Sequence, residues 1–429
     1  MPDLSAHYRA RRPSPIRRAQ ILALARPDRA DLEIVNLAIG NVSLPLHPAL
    51  RARLGALDHE GSPFAGGVVR YSPTAGTDEA ARAFLRVLES AGAPTDGLGC
   101  VVTDGGSAAM ELMLLGTLGP AGERPLLLLD PAYSNYNDFA RRIGGRTVAV
   151  PRELGELSRY RLPDRAAIER VIERERPAAL LVIPADNPTG QLLRHHELVE
   201  LAQLAVAHDL WLVSDEAYRQ LGYVAGAEAS TIWRVTEEEA PGIRGRRIGI
   251  ESASKVWNAC GLRVGALLTD SPAFHAAAVA EYTANLCANV IGQWIFGALA
   301  HETEVSLRAW YDAQRDYYSR LMQETVVALR AAVPGLVVSE PEAALYSVLD
   351  LGGVVPSFDA ERFVTFCAER GRVPLDGKDH TLLLAPMSGF FAGGGGSTQL
   401  RLAYVEGAET MRKVPRLLAL LLDRFVRDR

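Results

Sequence analysis

Between positions 99 and 269 the chain alternates short apolar runs with amphipathic stretches, and no other feature of the sequence limits its fold so tightly. The runs Gly99–Thr103, Pro125–Leu129, Ala178–Ile183, Leu210–Ser214, Ile248–Glu251 and Val264–Thr269 have the length and content of buried strands. Helical patterns fill the intervals at Ala108–Leu118, Ser134–Ile143, Asp164–Glu175 and His196–His208. Short βα units of this kind build an α/β sheet sandwiched between helices, with functional residues at the strand ends.

The pattern changes near Ala300. A long charged amphipathic helix runs through Arg330, strand-like segments follow at Gly335–Ser339 and Leu345–Leu351, and a helix over Glu409–Arg427 closes the chain. At roughly 150 residues per domain, 429 residues suggest two or three domains. The expected division is an N-terminal arm with part of a small domain (1–45), a large α/β domain with a mostly parallel sheet (46–300), and a smaller α+β domain (301–429). No repeat of fixed period is visible.

Composition excludes several classes. With 48% hydrophobic and 23% charged residues, 38 Gly and 25 Pro, the chain is neither disordered nor collagenous. A net charge of −5 offers no positive field for a nucleic acid. Cys100, Cys260, Cys287 and Cys367 lie far apart without a CxxC pair, which fits a reducing cytoplasm and no disulfide framework or zinc site. The arginines at 9, 11, 12, 17 and 18 precede no apolar run, so the N-terminus reads as a polar arm leading into a helix, not a secretory signal. Tyr282–Ala300 holds no charged residue, but Asn285, Asn289 and Gln293 recur at helical spacing. Their cost in lipid points to a buried helix in a core or subunit interface, not a membrane span. Gly393–Gly396 lacks the Lys of a phosphate loop and reads as a mobile loop, while nine scattered His form no metal-ligand cluster.

The chemistry concentrates in Ser252-Ala-Ser-Lys255-Val-Trp-Asn-Ala-Cys-Gly261-Leu-Arg263-Val-Gly265. A lysine in apolar surroundings beside a second cation has the lowered basicity that Schiff-base formation needs. Arg263 supplies a planar fork for phosphate and Ser252 a hydroxyl donor, so a cofactor bearing both an aldehyde and a phosphate fits. Asp215 follows the buried run Leu210–Ser214. By itself it could cap a following helix; beside such a lysine it could instead keep a pyridine nitrogen protonated. Asn187, in the turn Asn187-Pro-Thr-Gly190, can donate to a ring oxygen. Thr103-Asp-Gly-Gly106-Ser107 joins strand to helix as an anion cradle, and Tyr133 stands where an aromatic face could stack on a flat ring.

These segments, in this order from Asn36-Leu-Ala-Ile-Gly40 to Gln399-Leu-Arg401-Leu-Ala-Tyr404, resemble the class I/II aminotransferases among the fold type I pyridoxal-phosphate enzymes, the family that includes aspartate aminotransferase. The resemblance covers most of the chain. It implies that Lys255 is the Schiff-base lysine and proton shuttle, Asp215 the partner of the pyridine nitrogen, and Tyr218 and Asn187 the donors to the ring oxygen. Tyr133 then stacks on the ring, and Gly106, Ser107, Ser252 and Arg263 bind phosphate. Tyr71 would reach the neighbouring subunit's phosphate, implying a homodimer with shared active sites. Arg401 would clamp the substrate α-carboxylate, with Gly40 and Asn187 beside it.

The implied reaction moves an amino group between an L-amino acid and a 2-oxo acid by a ping-pong route. Elimination, replacement or cyclisation at Cβ or Cγ would use the same residues, and a non-catalytic binding protein is disfavoured by the intact Lys255. Departures from the family's pattern, Gly40-Asn-Val-Ser-Leu-Pro45 and Pro184-Ala-Asp-Asn-Pro188, flank the substrate, so no particular amino acid is implied.

Overall fold

The computed structural model describes residues 2–155 and 158–428. Two N-terminal helices, α1 (Ala6–Ala10) and α2 (Pro15–Leu24), lead into β1 (Leu32–Asn36), α3 (Pro48–Leu54) and α4 (Asp78–Ser90). The central part runs β2 (Gly99–Thr103), α5 (Gly105–Leu118), β3 (Leu126–Asp130), α6 (Asn135–Arg142), β4 (Thr147–Pro151), α7 (Arg165–Glu175), β5 (Ala179–Val182), α8 (His195–Ala207), β6 (Trp211–Asp215), β7 (Arg247–Ser252) and β8 (Gly265–Thr269). Then come α9 (Pro272–Tyr282), α10 (Val290–Gly297), the long α11 (Glu304–Ala332), β9 (Val337–Val338), β10 (Tyr346–Asp350) and α12 (Ala360–Glu369). The chain finishes with β11 (Val373–Leu375), β12 (Lys378–Leu383), β13 (Ala385–Pro386), β14 (Gln399–Ala403) and α13 (Ala408–Arg427).

Strands β2 to β8 form one sheet in the order β2-β8-β7-β6-β5-β3-β4. Pairing is parallel from β4 through β7, and β8 runs antiparallel to both its neighbours. Strands β2, β3, β5, β6 and β7 therefore point the same way, and their carboxyl ends at Thr103, Asp130, Val182, Asp215 and Ser252 share one edge, the place where such sheets bind ligands. Their sequences are nearly all apolar because helices cover both faces. A second sheet, β13-β14-β10-β9, and a third, β1-β12-β11, complete the fold. In the third, β1 pairs in parallel with β12, which ties the N-terminal segment to the C-terminal part. Among the described residues no helix is long and apolar enough to cross a membrane.

At three points the structure adds to or differs from the sequence reading. Tyr282–Ala300 is not one helix: α9 ends at Tyr282, a 3-10 turn covers Thr283–Asn285, and α10 starts only at Val290. Asn289 breaks the run because its side chain accepts the Gly292 N–H and caps α10. Strand β4 lies at the sheet edge, where its half-exposed residues lack the all-apolar pattern that marks its neighbours. Asp215 caps no helix: it is the last residue of β6 and accepts the Ala217 N–H at 3.1 Å. As for the glycine-rich loop, the described backbone ties its start to the β3 end, with the Ala392 N–H donating to Asp130 at 2.5 Å.

Candidate active site

At the shared strand edge lies a cavity of about 340 Å³. It gathers Lys255, Asp215, Gly106, Ser107, Tyr133, Asn187, Tyr218, Ser252, Arg263, Gly40 and Arg401 from segments spread over most of the sequence. Tyr71 does not join them; it stands 79% exposed on the loop before α4.

Lys255 is in the turn after β7, and its Nζ donates to the Gly40 carbonyl oxygen. Glycine at 40 leaves room for the site: a Cβ there would run into the Tyr346 hydroxyl and lie 3.0 Å from Lys255 Nζ. The sequence contains only three lysines, at 255, 378 and 413. The other two face carboxylates elsewhere, Glu33 and Asp376.

Asp215 is held from two sides, by the Ala217 N–H and by the Tyr136 hydroxyl, which donates to Oδ2 at 2.7 Å. Burial raises its carboxyl above the ordinary range; the Tyr136 and Ala217 donors and Lys255 oppose that rise without cancelling it, and Glu251 adds to it. The Tyr218 hydroxyl shares a 2.7 Å hydrogen bond with the Tyr346 hydroxyl and receives Asn187 Nδ2 at 3.4 Å. Burial, then Tyr346, raises the Tyr218 phenol well above its ordinary range, so it stays a neutral donor. Tyr133 meets Tyr136 edge-on, with ring centroids 5.4 Å apart, and its buried phenol is pushed up to about 12.

The far end of the cavity suits an anion. Helix α5 begins at Gly105 without a side-chain cap, because Asp104 Oδ1 instead accepts the Asn289 N–H at 2.8 Å. Its first N–H groups are thus left for a ligand. Arg263, at φ 52°, carries its guanidinium over Gly105, where any Cβ would collide with it. Gly265 lets β8 approach closely, since a Cβ there would come within 2.5 Å of the Gly106 nitrogen. The Ser252 hydroxyl, 2.8 Å from that of Ser254, completes the rim.

Arg401, on β14, is 3% exposed. It donates to Asn187 Oδ1 at 3.1 Å and to the Ala38 carbonyl at 2.6 Å, and its guanidinium lies 4.5 Å from the Tyr346 ring and 4.9 Å from the Phe390 ring. Its Nε is buried without a partner. An unpaired buried donor on a guanidinium fits an incoming carboxylate.

The donor set suits pyridoxal phosphate: an amine for its aldehyde, a carboxylate for its ring nitrogen, hydroxyl and amide donors for its ring oxygen, and a helix N-terminus with an arginine fork for its phosphate. Two tyrosines of this site, Tyr136 and Tyr346, escape sequence reasoning. Tyr136 could have been found as a second aromatic three residues after Tyr133. Tyr346 reads only as part of a strand, and nothing local marks it. The start of α2 also borders the cavity through Ser14, Ile16, Arg17 and Gln20, which the polar-arm reading did not foresee.

Fold and site together define a fold type I pyridoxal-phosphate enzyme. The profile of the aminotransferase class I and II family matches residues 33–376, and the chain belongs to that family. It is 28% identical over 365 residues to aspartate/prephenate aminotransferase of Thermus thermophilus, covering 84% of this chain and 83% of that protein. It is 30% identical over 362 residues to a 2-aminoadipate transaminase of Thermus thermophilus, covering 82% of each. A solved structure of a Thermus thermophilus aspartate aminotransferase mutant superposes with a TM-score of 0.81 over 98% of this chain and 100% of that one, at 24% identity, a likeness of fold. The protein is a pyridoxal-phosphate-dependent transaminase.

Proposed function

We propose that the protein transfers the amino group of an L-amino acid to a 2-oxo acid in two half-reactions, the first oxo acid leaving before the second enters. The observation that carries this reading is the convergence of Lys255, Asp215 and Arg401 on one cavity. When bound, pyridoxal phosphate supplies an aldehyde that captures amines and a ring that takes up the electron pair left on Cα.

The chain's own residues have separate tasks. Lys255 Nζ would take the proton from substrate Cα and hold it for return. Asp215, oriented by the Tyr136 and Ala217 donors, would pair with the ring nitrogen and hold a proton on it. Tyr218 and Asn187 donate to the ring oxygen. Gly106, Ser107, Ser252 and Arg263 hold the phosphate, and Tyr133 covers the ring. Arg401 fixes the α-carboxylate, so that the bond to be broken is presented to Lys255. Gly40 leaves room beside both.

The same reading makes the protein a homodimer in which Tyr71 contributes to the partner's phosphate site. It is supported by the exposure of Val68, Val69 and Tyr71 on one segment, an apolar surface unusual for a free loop. A cytoplasmic setting is supported by four cysteines, all of them free.

The test is to add amino acids singly to the purified holoenzyme and follow the cofactor's absorbance. Formation of pyridoxamine phosphate with an equal amount of oxo acid supports transamination. Release of a β or γ leaving group with no aminated cofactor would overturn it.

A further inference from the structure

Three residues of the candidate site have a charged chain neighbour that faces away from the cavity: Asp215 precedes Glu216, Tyr218 precedes Arg219, and Ser252 follows Glu251. The neighbours meet on the reverse side. Arg219 donates through both terminal nitrogens to Glu251, with Nη2 to Oε2 at 2.8 Å, and its Nη1 lies 3.7 Å from Glu216 Oε2. All three are buried, with side chains at most 5% exposed. Glu216 is fixed in turn: Oε1 accepts from the Ser214 hydroxyl at 2.8 Å and the Thr231 hydroxyl at 2.9 Å, and its backbone N–H donates to Ile250 O at 2.9 Å.

We propose that Arg219 is a positioning residue: with Glu216 and Glu251 it forms a buried ionic brace that fixes the ends of β6 and β7, and so holds Asp215, Tyr218 and Ser252 at the spacing the cofactor requires. The proposal rests on those three residues being cofactor ligands, as read above. Strand geometry supports it. Asp215 pairs in register with Ile250, and side chains alternate along β7, so Glu251 faces away from the side that Ile250 and Ser252 share, and Glu216 and Arg219 reach it there from the turn after β6. Charge supports it as well. Glu251 is close enough to raise the Asp215 carboxyl, and burial raises Glu216 to about 7, with Arg219 opposing that rise and Glu251 adding to it. Removing the cation would leave two carboxylates in low dielectric behind the one that must stay ionised.

The test compares Arg219→Met, Arg219→Lys and Glu251→Gln with Arg247→Met. The last breaks the Arg247–Asp270 pair at the opposite end of β7 and serves as a control for a purely structural ion pair. Apoprotein is titrated with pyridoxal phosphate, the pH midpoint of the bound cofactor's absorbance is recorded, and apoprotein melting is followed. Arg219→Met is expected to weaken cofactor binding at least tenfold and to move the absorbance midpoint, with Arg219→Lys recovering part of both. Arg247→Met is expected to lower the melting temperature while leaving affinity and midpoint unchanged. Should Arg219→Met fail to fold, Glu251→Gln, which keeps the shape and removes one charge, carries the same expected midpoint shift. Affinity within twofold of wild type and an unmoved midpoint in Arg219→Met, or in Glu251→Gln if only that folds, would overturn the brace. Equal effects from Arg247→Met would overturn it too. Lys255→Ala, run alongside, keeps the two readings distinguishable: an unchanged absorbance band in that variant overturns the site assignment itself, whatever the brace variants do.

Discussion

Replacing Arg401 by lysine separates a carboxylate clamp from an ordinary strand residue. In the native protein the guanidinium is 3% exposed and two of its nitrogens are already engaged, by Asn187 and by the Ala38 carbonyl. Nε remains without a partner. A lysine keeps the charge and one bond but cannot present a fork, so a substrate carboxylate loses one of its two parallel hydrogen bonds and its planar match. Taking the upper end for a hydrogen bond to a charged group, about 3 kcal/mol, gives a loss in kcat/KM on the order of 10²-fold. It should apply to every amino acid and oxo acid, because the α-carboxylate is common to all. The assay is steady-state kinetics on Arg401→Lys and wild type with several substrate pairs, after cofactor occupancy has been matched by absorbance. An ion pair of the surface type contributes under about 1 kcal/mol. A uniform loss of about fivefold or less at full occupancy, the size that such a pair gives, would refute the reasoning.

Asp215→Asn should keep the fold and bind cofactor but lower kcat by about 10³-fold, since a neutral amide cannot stabilise a protonated ring nitrogen and electrostatic contributions of this kind reach several kcal/mol; near-normal turnover would contradict it. Gly40→Ala places a Cβ against the Tyr346 hydroxyl and Lys255 Nζ, so kcat/KM should fall at least about tenfold while melting changes little; unchanged kinetics would show that the contact yields. Asp130 is raised by burial from 3.8 to about 6. Its folded form therefore binds the proton more tightly than the unfolded chain, and the stability this group contributes falls as pH rises from about 4 to about 6. Asp130→Asn should remove that falling contribution, so that stability measured by denaturant unfolding changes more positively with pH over this stretch than in wild type, and an identical slope in both proteins would contradict the assignment.

What the sequence disclosed follows from how local each signal is. Gly106 and Ser107, the Lys255 segment and Asp215 each lie within a few consecutive residues at a strand end, so their place on one cavity could be read from the sequence. Arg401 was singled out through its short motif, whereas its buried Nε without a partner is a property of packing that no motif shows. Tyr346 was not legible: its partner Tyr218 is 128 residues away, and only the approach of β10 to the central sheet joins them. Tyr136 lay inside a segment already singled out, yet its bond to Asp215 spans 79 residues and depends on how α6 docks. The break at Asn289 was hidden because the same amide suits either a helix face or a cap, and tertiary contacts decide which. The Arg219 brace likewise consists of charges that in sequence resemble solvated surface.

The central claim is that Lys255 carries the cofactor. Only three lysines exist in the chain, so one measurement is unusually direct. Holoenzyme is reduced with borohydride, digested, and its peptides mapped by mass. The expected result is a single pyridoxyl group, on the peptide containing Lys255. A label on Lys378 or Lys413, or a fully loaded enzyme that yields no labelled lysine, would contradict the account.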